Sequence, residues 1–156
     1  MVLKHDPTRL ASTPMLIALE EARAAARAGE VPVGAVVARG RTVVSRAANA
    51  TRVGPDPTAH AEVLAIRRAA EALGRERLDG LDLYVTLEPC AMCAGAIAHA
   101  RIARLYFGAE DPKGGGVLHG PRVFSQATTH HVPEVYSGIA ETEAAALLRA
   151  FFQARR

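Results

Sequence analysis

Leu81-Asp82-Leu83-Tyr84-Val85-Thr86-Leu87-Glu88-Pro89-Cys90-Ala91-Met92-Cys93-Ala94-Gly95-Ala96 reads as two elements meeting at a proline. Leu81 to Leu87 is rich in apolar, β-forming residues and predicts a strand. Pro89 is placed to open a helix to about Ala100, because the N–H that proline lacks has no helical partner in the first turn anyway.

The same alternation extends outward on both sides. Upstream, Thr13-Pro14 supplies a capping hydroxyl and a first-turn proline, Leu16, Leu19 and a run of alanines give an apolar stripe, and Gly29 stops the helix. Val31 to Ala38 and Thr42 to Ala47 form a hairpin around Arg39-Gly40. A loop from Asn49 to Thr58 is broken by Gly54, Pro55 and Pro57, and Thr58 caps a helix that Gly74 closes. Downstream, a strand is expected over Ile102 to Gly108, then a Gly-rich loop over Asp111 to Gly120. A short helix near Pro121 to Gln126, a short strand near Val132 to Tyr136 and a last helix over Ala140 to Ala154 complete the reading. Helices alternating with strands predict an α/β sandwich around a mixed sheet. Residues 1–12 are expected to be a loose lead-in to one domain spanning 1–156.

Composition sets limits on this reading. Of the 156 residues 49% are hydrophobic and only 4% aromatic, with no Trp, so the core is expected to be aliphatic. No apolar run is long enough to span a bilayer, and Met1 to Arg9 lacks the pattern of a signal peptide, so the expected compartment is the cytoplasm and no membrane partner is expected. A net charge of +3 permits a nucleic-acid partner without requiring one. Arg149, Arg155 and Arg156 around Phe151 and Phe152 would suit phosphates and bases, or equally a solvated helix end.

Two motifs carry chemistry: His60-Ala61-Glu62 and Pro89-Cys90-Ala91-Met92-Cys93. Both are predicted to open helices. Positions three apart share a helix face, so Cys90 and Cys93 can address one ion, and a helix N-terminus favours their thiolates. His60 supplies an imidazole from the second helix start, which gives a ligand set that suits Zn2+. His99 is the tempting fourth ligand, but six residues at about 100° each carry it roughly 240° around the helix from Cys93. Three ligands leave room for a water, as in a catalytic site. Glu62 is then the general acid/base; the spacing of two brings it and His60 to one place only if the metal sits off the helix end. A redox C-x-x-C pair and a purely structural zinc site are the competing readings. The joint H-x-E and P-C-x-x-C pattern is the signature of zinc-dependent base deaminases.

On these motifs the chain resembles bacterial tRNA-specific adenosine deaminases of the TadA type, within the cytidine/deoxycytidylate deaminase superfamily. The likeness runs over Glu30 to Arg156, through Glu30–Ala35, Asp56–Glu62, Leu83–Ala96, Phe107–Gly115 and Leu147–Arg156. It implies a three-layer α/β/α cytidine-deaminase-like fold with a five-stranded mixed sheet. It implies a homodimer with one Zn2+ per subunit, and conversion of adenosine to inosine at the wobble position of a tRNA anticodon stem-loop, in an arginine tRNA. His60, Cys90 and Cys93 match the zinc ligands and Glu62 the proton shuttle. Asn49 matches a purine- or ribose-binding asparagine, and Pro32 and Val33 match pocket walls. The resemblance places the backbone N–H groups of Ala61 and Cys90 near the base, Asp111 and Lys113 by the flanking nucleotides, and Arg155 at the RNA backbone. Thr128-Thr129-His130-His131 departs from the family's Asn-His pattern, with Thr129 where many members carry a base-contacting asparagine. A deaminase of free bases or nucleosides, guanine or cytosine, is the alternative that would share the metal site.

Overall fold

A computed structural model describes residues 3–5 and 12–156. Strands β2 (Gly34–Arg39), β3 (Thr42–Ala48), β4 (Asp82–Leu87), β5 (Arg104–Ala109) and β6 (Glu134–Ser137) form the expected mixed sheet, and the three-residue strand β1 (Leu3–His5) is added at its edge. The order is β1-β6-β5-β4-β2-β3. The β4, β5 and β6 strands run parallel, while β2 is antiparallel to both β3 and β4. Leu3–His5, part of the expected lead-in, pairs parallel to β6. Backbone pairing explains this, because β6 would otherwise present an open edge.

Helices cover both faces. Helix α1 (Thr13–Arg27) and helix α4 (Glu141–Gln153) pack on one face; α2 (Ala61–Leu73) and α3 (Ala91–Ala100) pack on the other. Strand alternation sorts the core between them. Ala35, Val37, Leu83, Val85, Leu105 and Phe107 meet the α2/α3 side, whereas Val36, Ala38, Tyr84 and Tyr106 meet the α1/α4 side. Tyr84, Tyr106 and Tyr136 stand opposite one another on three parallel strands and stack at 4.5 and 4.8 Å between ring centroids.

Helix α1 buries Met15, Ala18, Leu19, Ala22 and Ala25, a stripe at helical spacing. Leu16, expected in that stripe, is 50% exposed, because it lies one residue and about 100° off the buried row. The alanines let the helix come very close to the sheet. A Cβ on Gly34 would stand 2.7 Å from the Ala22 nitrogen and collide with the Ala18 carbonyl oxygen.

Several element starts differ from the sequence expectation for local reasons. β2 begins at Gly34 rather than Val31, since the Val33 N–H turns back to the Val31 carbonyl and Pro32 has no N–H to give. Helix α2 begins at Ala61 rather than Thr58, because Asp56 Oδ1 accepts both the N–H and the hydroxyl of Thr58 at 2.9 and 2.8 Å. The short helix near 121–126 is a single 3-10 turn, Val123–Ser125.

The close approach at Gly34 makes a specific expectation. Gly34→Ala should lower the stability of the chain by about 1–3 kcal/mol through overpacking. Urea or thermal denaturation followed by circular dichroism would measure this, and unchanged stability would mean that α1 does not lie where the collision requires.

Candidate active site

His60 is the N-cap of α2, and Cys90 is the N-cap of α3. Both have extended backbone, φ −73° and ψ 149° for His60, φ −72° and ψ 175° for Cys90, and neither side chain caps its own helix. A cap residue ordinarily spends its side chain on the first-turn N–H groups. Here the two side chains turn toward each other. His60 Nδ1 lies 3.6 Å from Cys90 Sγ and 3.4 Å from Cys93 Sγ, and the three donor atoms all fall within 4.8 Å of one another.

The chain's change from extended to helical between His60 and Ala61 also resolves the spacing of two. Glu62 sits in the first turn of α2 and is buried, 4% exposed, beside the trio. Among the described residues no fourth His, Cys, Asp or Glu joins the group. His99 is exposed and packs edge-to-face on His130 instead, at 5.3 Å between centroids. The donor set, one imidazole nitrogen and two sulfurs with no fourth side chain, fits a borderline-soft divalent ion with a position left open.

Their close approach makes the three donors share protons. The Cys93 thiol hydrogen-bonds Cys90 and, with His60, brings the Cys90 thiol down to about 4. Cys93 is pushed up by the neighbouring Cys90 sulfur and by burial. The contact with Cys90 raises His60. Burial raises the Glu62 carboxyl to about 7, within the range that suits a group that must both take and give protons near neutrality.

A cavity of about 320 Å³ opens over this group. Of the residues singled out in the sequence, Val33, Asn49, His60, Glu62, Cys90 and Asp111 line it. Cys93 lies behind the wall, fully buried. Pro32 is buried outside the lining, Ala61 packs into the α2 core, and Lys113 is exposed next to the lining residue Gly114. Arg155 is held on α4, its guanidinium 3.4 Å from the Phe151 ring centroid and donating to the Phe151 carbonyl at 3.1 Å. Thr129 is not in the lining; its hydroxyl donates to the Val123 carbonyl.

Two buried glutamates that the sequence reading did not single out as functional shape the cavity's walls. Glu30 accepts the N–H groups of Arg52 and Val53, both at 2.8 Å, and so holds the loop that carries Asn49 and Thr51. Glu88 gathers the opposite loop, accepting from Asp111, Val117, Leu118 and His119. Burial alone would raise Glu88, but the donors around it outweigh that and its carboxyl lies below its ordinary value. The signal available in the sequence was a lone acid inside each of two otherwise apolar stretches.

The profile of the MafB19-like deaminase family matches residues 12–156. The tRNA-specific adenosine deaminase of Agrobacterium fabrum is 60% identical over 142 residues, covering 91% of this chain and 93% of that protein. That of Bacillus subtilis is 45% identical over 141 residues, covering 89% and 86%. This chain belongs to the tRNA-specific adenosine deaminase family. A solved structure from work on A-to-I editing by tRNA:A34 deaminases superposes on the deaminase with a TM-score of 0.85 at 60% identity, covering 86% of this chain and 98% of that one. Bacillus subtilis guanine deaminase shares the fold more distantly, with a TM-score of 0.63 at 30% identity over 90% of this chain and 92% of that one.

The wall-holding role of Glu30 is open to direct measurement. Glu30→Ala leaves two N–H groups without their buried acceptor and should cost about 1–3 kcal/mol. Hydrogen exchange should speed up at the amides of Arg52 and Val53 in that variant; unchanged protection there would show that Glu30 does not hold the loop.

Proposed function

We propose that this deaminase converts adenosine to inosine at position 34, the wobble position, of tRNA, with one zinc ion held by His60, Cys90 and Cys93. The carrying observation is the convergence of these three donors with the buried Glu62 beneath a pocket, in a chain 60% identical to a tRNA-specific adenosine deaminase. Zinc held there would supply Lewis acidity and lower the pKa of water in the pocket. Glu62 accepts the first proton of the attacking water and passes it to N1 of adenine as C6 is attacked; it then takes the proton of the new C6 hydroxyl and gives it to the amino group, which leaves as ammonia as the C6–N bond breaks. Its neighbours keep it competent, because burial favours a carboxyl that changes protonation near neutral pH.

Asn49 and Val33 hold the purine, with Pro32 supporting the wall from behind. The backbone N–H groups of Ala61 and Cys90 lie at the base. Asp111 and Lys113 meet the flanking nucleotides, and Arg155 meets the RNA backbone. An anticodon loop presents its base already unpaired, so filling a pocket of about 320 Å³ costs little duplex energy. The enzyme acts as a homodimer in the cytoplasm, on an arginine tRNA. No helix among the described residues is long and apolar enough to cross a membrane.

A second reading, deamination of a free base or nucleoside, draws support from the likeness to guanine deaminase at 30% identity. Purified protein should form inosine in an anticodon stem-loop with A at the wobble position and leave guanine, cytidine and free adenosine unchanged. Activity confined to the free compounds would reverse the choice. Glu62→Ala should retain one zinc per chain while losing about 10²-fold or more of the deamination rate. His60→Ala should instead lose the metal, as measured by elemental analysis. Chelation of the wild-type enzyme should abolish activity, and added zinc should restore it.

A further inference from the structure

Five donors converge on the carboxylate of Glu88, whose side chain is sealed from solvent. Oε1 accepts the Asp111 N–H at 3.0 Å and lies 2.8 Å from His119 Nδ1. Oε2 accepts from Val117, Leu118 and His119 at 3.2, 2.9 and 3.2 Å. A carboxylate offers about four acceptor sites. Those of Glu88 are spent on the loop, which leaves none to take a proton from a substrate.

The same loop sits directly on the start of α3. The Gly116 N–H donates to the Pro89 carbonyl at 2.8 Å, one residue before the Cys90 N-cap. A Cβ on Gly116 would come 2.5 Å from the Ala91 nitrogen, and one on Gly115 would collide with Glu88 Oε2. The loop's first turn carries Asp111 and Gly114 into the pocket wall, where Asp111 Oδ1 accepts the N–H groups of Lys113 and Gly114. His60, Cys90 and Cys93 are placed by α2 and α3: α2 packs on β2, β3 and β4 and on α3, and α3 buries Ala94, Ile97 and Ala98 in the core it shares with Leu83, Val85 and Phe107. Loosening the loop therefore moves the wall and leaves the trio in place.

We propose that Glu88 is a positioning residue: it locks the Asp111–His119 loop against the N-terminus of α3 and so sets how tightly the anticodon loop is held. This rests on the reading of the site as an RNA deaminase. Glu88→Gln keeps length and shape but turns an NH2 toward one of the two donor groups. If that group replaces Oε1, His119 can answer by a change of tautomer, whereas the Asp111 N–H cannot. Gly115→Ala displaces the same loop without changing Glu88.

The test uses the zinc-loaded full chain and an anticodon stem-loop with A at the wobble position. In both variants KM should rise about tenfold, from the loss of charge-assisted hydrogen bonds. The kcat should change less than about threefold, since an interaction equal in ground and transition states leaves kcat alone. Zinc per chain should stay unchanged, and the amides of Asp111 and Leu118 should exchange faster in Glu88→Gln. A fall in kcat at constant KM would overturn the proposal, as would unchanged loop exchange, or loss of zinc together with protection in α3. If Glu88→Gln does not fold, Gly115→Ala decides through the same KM and kcat split. A wild-type chain that neither binds nor deaminates the stem-loop overturns the underlying reading; an active wild type with unchanged KM in both variants overturns the positioning role alone.

Discussion

Two helix N-termini face each other across the top of the sheet, and each gives up its own cap. His60 and Cys90 occupy positions whose side chains usually satisfy first-turn N–H groups. Turning them together leaves those N–H groups and the positive ends of both helix dipoles pointing at the site. Contacts with Cys93 and His60 favour thiolate at Cys90, and the helix ends suit an electron-rich reacting centre. It also places Glu62, in the first turn of α2, beside a donor only two residues away in sequence. The constraint is one of backbone conformation: a continuous helix through His60 would turn the imidazole and the carboxyl about 200° apart.

Close packing by small residues makes the convergence possible. Alanines on α1 and Gly34 on β2 let that helix lie directly on the sheet. Gly115 and Gly116 do the same for the loop above α3. Two buried carboxylates replace bulk as the organising element: Glu30 and Glu88 hold the opposing walls through backbone N–H groups. A carboxylate that gathers several N–H donors offsets its own desolvation and imposes a unique loop geometry. The pocket is thus shaped by chain conformation more than by large side chains, consistent with only 4% aromatic residues.

Period and punctuation made the architecture legible. Apolar β-forming runs over β2, β4 and β5, the apolar stripe of α1, and the breakers Gly29, Gly74 and Pro89 marked the element order. Element starts were harder to read where a local hydrogen bond competes with helix or ladder, as Asp56 does for Thr58 and the Val31–Val33 turn does for β2. Leu16 misled because it stands one residue off a row set mainly by alanines.

The sequence by itself determined which donor side chains would meet, the acid beside them, and the turning of His99 away from them, because helical periodicity and donor chemistry are local properties. The tertiary structure alone decided that Glu30 and Glu88 hold the pocket walls, and that Thr129 spends its hydroxyl on Val123. It also decided that Val31, Thr51, Leu87 and Gly114 join Asn49 and Asp111 in one cavity. The roles of the two glutamates depend on which backbone N–H groups arrive at a buried carboxylate from a loop more than twenty residues away. No local pattern in the chain encodes that arrival; it follows from the packing of both helix N-termini on one sheet.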